Sequence, residues 1–137
     1  MVSIYMTKKG LVFIVDDDLS ARRGLTRLLH TAGHKVSDFA SANELLDALE
    51  PGASGCLILG ARMPGLSSGA LCAELEARGA CLSIIFVTAD EDRATLRRAR
   101  KMGAAAFFRK PVDGMALIDA VTWALGPDNP DNNHNEA

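Results

Sequence analysis

The sequence predicts an α/β fold, in which helices cover both faces of a five-stranded parallel sheet. Three observations support this prediction. Short apolar runs alternate with stretches of helical periodicity five times along the 137-residue chain. Four of these runs are continuously apolar, which is typical of strands buried on both faces. Polar residues with carboxylate, hydroxyl or amine groups follow several of the runs, as expected where a site forms at the carboxyl ends of parallel strands.

The strands are predicted from runs of β-forming residues bounded by turn signals. They cover residues 11–15, 35–39, 56–59, 84–87 and 106–108. The second run is the most polar, so we expect it at an edge of the sheet.

Apolar residues at helical spacing predict a helix after each strand. The first helix carries Leu25 and Leu29 and ends before Gly33. The second opens with capping-box spacing at Ser41 and Glu44 and runs through residue 49. The third is centred on residues 71–75, the fourth covers 92–102, and the last begins at residue 113.

This order of elements sets the topology, because right-handed crossovers place helices on both faces of a parallel sheet. Five such units favour a flavodoxin-like, doubly wound (βα)5 sheet with strand order 2-1-3-4-5. We assign residues 10–125 to one domain, 1–9 to an N-terminal extension and 126–137 to a disordered tail. Met1 and Met6 are both candidate starts.

Composition and charge exclude several classes of function. The formal net charge is −2, so we expect neither direct nucleic-acid binding nor membrane association. Cys56, Cys72 and Cys81 follow no metal-binding spacing, and we interpret them as reduced thiols of a cytoplasmic protein without a zinc site.

Three acidic residues follow the first strand. A divalent cation such as Mg²⁺ prefers carboxylate oxygen, so Asp16 and Asp17 are candidate ligands at the switch point of the sheet. Asp18 is better explained as the cap of the next helix, where negative charge is favourable.

A hydroxyl and an amine follow the fourth and fifth strands. Thr88 would lie at the mouth of the same crevice, and Lys110 could neutralise the acids. Pro111 and the helix start at Asp113 demand a sharp reversal, so we predict that the Lys110–Pro111 peptide is cis.

Four segments together resemble the marker motifs of response-regulator receiver domains of two-component signal transduction. They read Val15-Asp16-Asp17-Asp18, Arg62-Met63-Pro64-Gly65, Val87-Thr88-Ala89 and Arg109-Lys110-Pro111. Their spacing is similar to that of the branch often fused to LuxR-type helix-turn-helix domains. The resemblance covers about residues 10–125, and we expect a stand-alone receiver.

The resemblance implies a role for each marker. Asp16 and Asp17 would organise Mg²⁺ together with the backbone carbonyl of Arg62. Lys110 would pair with phosphoryl oxygens.

A switch is also implied, in which Thr88 turns toward the phosphoryl group and Phe107 follows as the aromatic partner. Without a phosphoryl group no ligand distinguishes the two states, so we expect this pair not to be locked in the phosphorylated-type arrangement.

The family's nucleophilic aspartate would stand at position 60, where this sequence has Gly60. Glycine has no side chain, so no acyl phosphate forms there. Either a natural pseudo-receiver or a laboratory substitution explains the glycine. Loss of this carboxylate predicts weak Mg²⁺ binding, no requirement for a cofactor and no enzymatic activity. It also predicts a contact from Lys110 to Asp16 or Asp17.

Two functions remain open, a phosphorylation-independent protein-binding module and an active phosphoacceptor that uses another residue. Ser67 and Ser68 are the nearest hydroxyls, but they are better explained as the cap of the third helix. A flavin-binding flavodoxin relative is disfavoured, because three aspartates after the first strand would repel its phosphate.

The fourth helix is rich in cations and is a candidate partner surface. A favourable interaction with the helix dipole explains Arg100 and Lys101 at the end of the helix, but not Arg93 in its first turn. Expected partners are a sensor histidine kinase, a partner regulator or a second copy of the chain. The cations are Arg93, Arg97, Arg98, Arg100 and Lys101.

Overall fold

A computed structural model of the chain describes residues 11–60, 66–89 and 93–126, with the side chain of Ser68 excepted. Strands and helices alternate through these residues. The strands are β1 (Leu11–Val15), β2 (Lys35–Phe39), β3 (Ser54–Gly60), β4 (Cys81–Thr88) and β5 (Ala106–Arg109). The helices are α1 (Leu19–Thr31), α2 (Ala42–Ala48), α3 (Ser68–Ala77), α4 (Arg93–Lys101) and α5 (Gly114–Leu125).

The five strands form one parallel sheet in the order β2-β1-β3-β4-β5. The predicted fold class and strand order are therefore confirmed. The predicted edge position of β2 is also confirmed, and three of its five residues are exposed. Within the described ranges, none of the helices is both long and apolar enough to cross a bilayer.

Alternating side chains of the strands fill two separate apolar clusters, one on each face of the sheet. Phe13 and Val15 of β1 pack with residues of α2, α3 and α4. Val12 and Ile14 of the same strand pack with residues of α1 and α5. A fully buried aliphatic side chain contributes about 1.5–3 kcal/mol, so this two-sided burial holds the sheet between its helices.

Side-chain caps start four of the helices and fix where the loops of the site begin. Asp18, Ser41, Ser67 and Asp113 each accept a hydrogen bond from a backbone N–H of the following turn. The predicted caps at Asp18, Ser41 and Ser67 are therefore confirmed. The chain leaves α1 through Gly33, whose φ of +99° lies in the region that favours glycine.

Several predicted boundaries differ from the observed ones. β3 begins at Ser54 and β4 at Cys81, because parallel pairing joins Ser54 to Cys81 and extends both strands beyond their apolar cores. α2 ends at Ala48 rather than residue 49, and α4 ends at Lys101 rather than 102. The predicted start of α4 at residue 92, the extension 1–9 and the tail from 127 lie outside the described residues.

Candidate functional site

The carboxyl ends of β1, β3, β4 and β5 surround an open crevice of about 240 Å³. Sequence reasoning expected a site here, and the structure brings most of the candidate residues together. The lining residues are Asp16, Asp17, Asp18, Gly60, Val87, Thr88, Ala89 and Lys110.

Asp16 is buried at the floor of this crevice, with 3% of its surface exposed. Its Oδ2 atom accepts a hydrogen bond from Lys110 Nζ at 3.1 Å, and its Oδ1 atom accepts one from the Asp18 backbone N–H at 2.9 Å. Both oxygens of the Asp16 carboxylate are therefore engaged by groups of the chain itself.

Lys110 reaches the crevice from the turn after β5. Its backbone N–H donates to the Thr88 carbonyl at 2.8 Å, which fixes the start of this turn against β4. The Lys110–Pro111 peptide is cis, as predicted. The predicted contact to an acidic residue is also confirmed, and it is made to the buried Asp16 rather than to the exposed Asp17.

Asp18 lies at the rim and serves as the cap of α1. Its Oδ1 atom accepts hydrogen bonds from Ser20 N–H at 3.0 Å and Ala21 N–H at 3.3 Å. These contacts are those expected of a helix cap.

Gly60 is the last residue of β3 and lies beside Asp16. A Cβ atom built on Gly60 would stand 3.4 Å from Asp16 Cγ and from the Val15 carbonyl, which is ordinary van der Waals contact. The φ of Gly60 is not among the positive values found at other glycines. Neither the backbone nor the space at this position requires glycine.

Thr88 and Phe107 lie on adjacent strands. Thr88 is 3% exposed and lines the crevice, whereas Phe107 is half-buried and packs against the cluster under α2, α3 and α4. The expectation that the two side chains are not locked in a phosphorylated-type arrangement stays a prediction.

The cations of α4 are outside the crevice. Arg93, Arg97, Arg100 and Lys101 are exposed and recur at spacings of three and four residues along the helix. Arg98 is also exposed, and its Nη2 atom donates to Thr95 Oγ1 at 3.2 Å. We call these five residues the basic face of α4.

Sequence reasoning missed one cation of the site, Arg22 of α1. Its Nη1 atom donates to the Asp16 carbonyl at 2.7 Å, and its Nε atom donates to Asp38 Oδ2 of β2 at 3.0 Å. Apolar periodicity carries no signal for such a contact. The one sequence feature that pointed to this contact was the position of Arg22, in the first turn of the helix that follows the three aspartates.

The cysteines lie away from this crevice. Cys56 is buried in the cluster under α1 and α5, and burial raises the pKa of its thiol to about 12. Burial and the nearby Glu76 carboxylate raise the pKa of Cys72, and Cys81 is exposed. Arg62 and the Met63-Pro64-Gly65 motif lie outside the described residues.

The parallel sheet, the acidic loop and the lysine after a cis-proline turn define a class of protein, which comparison with known families identifies. The sequence model of the response regulator receiver domain matches residues 12–122. The chain therefore belongs to the receiver domain family of two-component response regulators.

Two curated relatives are similar over most of this chain. This chain is 41% identical over 120 residues to Nodulation protein W of Bradyrhizobium diazoefficiens. The match covers 88% of this chain and 53% of that protein. The chain is 42% identical over 115 residues to the transcriptional regulatory protein FixJ of Azorhizobium caulinodans, covering 84% and 54%. The chain thus spans about half the length of the curated relatives it matches.

Solved structures show the same fold. Full-length FixJ from B. japonicum aligns with a TM-score of 0.79 and 33% identity, covering 91% of this chain and 62% of that chain. The response regulator StyR aligns with a TM-score of 0.76 and 40% identity, covering 92% and 64%.

Receiver domains in general bind Mg²⁺ at their phosphorylation site, which corresponds to this crevice. Mg²⁺ demands a near-octahedral shell of oxygen ligands and gives up its waters reluctantly. Both oxygens of Asp16 already accept hydrogen bonds, and Gly60 supplies no carboxylate. Within the described ranges, no three acidic, histidine or cysteine side chains are grouped to hold a metal. These residues fit the ion poorly.

Proposed function

We propose that this chain is a receiver domain that cannot be phosphorylated at the usual position and acts by binding other proteins. The observation that carries the proposal is Gly60 at the end of β3, beside Asp16 and in register with Val87 of β4. By family resemblance, the phosphoacceptor aspartate would stand there. Asp17, Thr88 and Lys110 line the same crevice, but glycine offers no side-chain oxygen to a phosphoryl group.

Weak binding of Mg²⁺ is part of this proposal. The Lys110 ammonium competes with a metal ion for Asp16, because each cation discourages binding of the other. Asp17 and the carbonyl of Arg62 are then the remaining candidate ligands, too few anionic groups for tight binding.

The test is the repair of position 60. Gly60→Asp should gain Mg²⁺ affinity, measured by calorimetry. It should also become labelled by acetyl phosphate, a phosphodonor that needs no kinase, and the label should be removed by hydroxylamine. Gly60→Ala is the matched control, because it adds the Cβ without the carboxylate and should gain neither property. If Gly60→Asp gains neither, the crevice has lost more than one carboxylate, and Gly60 is explained as part of a natural pseudo-receiver. The proposal fails if the unaltered chain itself is labelled.

The same assay tests the competing function, in which another residue accepts the phosphoryl group. The unaltered chain should show no labelling by acetyl phosphate. Labelling equal to that of Gly60→Asp, mapped to a different side chain, would favour an active phosphoacceptor instead.

The binding surface that we propose is the basic face of α4. Its cations are exposed, and the helix carries no acidic residue between Arg93 and Lys101 to neutralise them. Such a stripe attracts an acidic partner, and the attraction should weaken with salt. A sensor histidine kinase, a partner regulator and a second copy of the chain are the candidate partners.

A polyglutamate peptide is a direct probe of this surface. Replacing Arg97 and Arg100 together with glutamate should weaken peptide binding at least about tenfold, since close charge pairs contribute on the order of 1.5 kcal/mol or more. The matched control replaces Arg23 and Arg27, which are exposed on α1, and changes the net charge equally. Equal losses in both double variants would contradict a specific role for α4.

A further inference from the structure

Arg22 connects α1 to the end of β1 and to β2 through contacts with Asp16 and Asp38. It lies in the first turn of α1, and only 14% of its side chain is exposed. The guanidinium donates to the Asp16 carbonyl at the end of β1 and to the Asp38 carboxylate of β2. A planar guanidinium with donors in a fixed fork sets the geometry of both acceptors.

The carbonyl that Arg22 holds belongs to the peptide that joins Asp16 to Asp17. This peptide unit is planar, so fixing its oxygen restricts the direction in which the chain continues into Asp17. The other backbone group of Asp16, its N–H, donates to the Phe39 carbonyl at 3.1 Å. Asp16 is thus held through its backbone N–H, its carbonyl and both carboxylate oxygens.

We propose that Arg22 is a positioning residue of the crevice. Through the Asp16 carbonyl it sets the direction in which the Asp16 carboxylate faces Lys110 and in which the chain continues into Asp17. The functional part of this inference rests on the proposed function, in which these acids bind Mg²⁺ weakly because Gly60 supplies no carboxylate.

A purely structural alternative is that Arg22 matters only as the partner of Asp38. Two variants separate the roles. Arg22→Met removes both contacts, whereas Asp38→Ala removes the ion pair and leaves the donor to the Asp16 carbonyl in place. Both variants should lower the midpoint of urea unfolding, so stability alone does not distinguish the roles.

Amide exchange in the unaltered background distinguishes them without any metal. The Asp18 N–H donates to Asp16 Oδ1, so it reports on the orientation of that carboxylate. Arg22→Met should speed exchange of this amide about fivefold or more, as expected for a weakened hydrogen bond, and Asp38→Ala should change it less than about twofold. The Glu44 N–H, which donates to Ser41 Oγ, is the internal reference and should not change.

Metal affinity in the Gly60→Asp background gives the functional measurement. There Arg22→Met should weaken Mg²⁺ binding about tenfold, the usual cost of losing a group that orients a ligand, while Asp38→Ala should stay within about twofold. If the unaltered chain is labelled by acetyl phosphate, the proposed function fails, and the exchange of the Asp18 N–H still decides the role of Arg22. Equal effects of Arg22→Met and Asp38→Ala on Asp18 exchange would overturn the positioning role.

Discussion

Nζ of Lys110 lies 3.1 Å from Oδ2 of Asp16, although the two residues are 94 positions apart in the chain. The pair joins the loop after β1 to the turn after β5 across the carboxyl end of the sheet. Asp16 is 5% exposed at its side chain and Lys110 is 27% exposed. The carboxylate therefore depends on this cation more than the cation depends on the carboxylate.

Lys110→Met should destabilise the domain, because it leaves a buried carboxylate without its cation. Water reaches the lysine side of the pair, so we expect a loss of about 1–3 kcal/mol rather than the larger loss of a fully buried pair. Urea unfolding measures the change. Lys101→Met on the exposed face of α4 is the control and should stay within about 0.5 kcal/mol. A loss no larger than that of the control would show that Asp16 does not need Lys110.

Two glycines of β3 should respond to alanine in opposite ways. At Gly60 the new Cβ makes ordinary contacts, so Gly60→Ala should leave the free energy of unfolding unchanged or raise it by up to about 1 kcal/mol. At Gly55 φ is +144° and a Cβ would lie 2.5 Å from the Leu11 carbonyl. Gly55→Ala should therefore cost at least about 2 kcal/mol. Thermal unfolding of the two variants checks the contrast, and a costly Gly60→Ala would mean that position 60 does require glycine.

Asp18→Ala should weaken α1 without affecting metal binding. Losing a side-chain cap costs about 1 kcal/mol, and urea unfolding should show this loss. In the Gly60→Asp background the same substitution should leave Mg²⁺ affinity within about twofold, because the Asp18 carboxylate is engaged by backbone N–H groups. A much larger drop in affinity would make Asp18 a ligand and contradict its assignment as a cap.

The three thiols should react in the order of their exposure. At mild alkaline pH a maleimide should label Cys81 first, and Cys56 only on unfolding, because burial raises the Cys56 pKa to about 12 and keeps the thiol protonated. The pKa of Cys56 is higher in the folded protein than in the unfolded chain, so the protonated thiol favours the folded state. This stabilisation is fully present below the pKa of the unfolded thiol. This contribution is lost as pH rises toward 12. Cys56→Ala should remove that part of the alkaline loss, and fast labelling of native Cys56 would contradict the burial.

The order of the elements and the cis turn could be predicted because the signals are local. Apolar runs, caps such as Asp18 and the Lys110–Pro111 dipeptide each depend on neighbouring residues. Convergence of Asp16, Thr88 and Lys110 followed from a general rule, that parallel strands end at the same edge of a sheet.

The remaining features depend on three-dimensional contacts that no local pattern encodes. The sequence predicted a contact from Lys110 to either Asp16 or Asp17. The fold buries Asp16, and Lys110 contacts that carboxylate. Arg22 was missed because its partners lie on β1 and β2 and are chosen by the packing of α1. The start of β4 at Cys81 was missed because pairing with Ser54, rather than hydrophobicity, extends the strand.

The sheet separates the apolar interior into two compartments, and among the described residues no side chain belongs to both. Even consecutive residues of β5 are divided, since Phe107 packs on the side of α2, α3 and α4, and Phe108 packs on the side of α1 and α5. Substitutions in different compartments, such as at Leu29 and Leu71, should therefore combine additively. Each side of the molecule is free to diversify under its own selection without requiring compensating changes on the other.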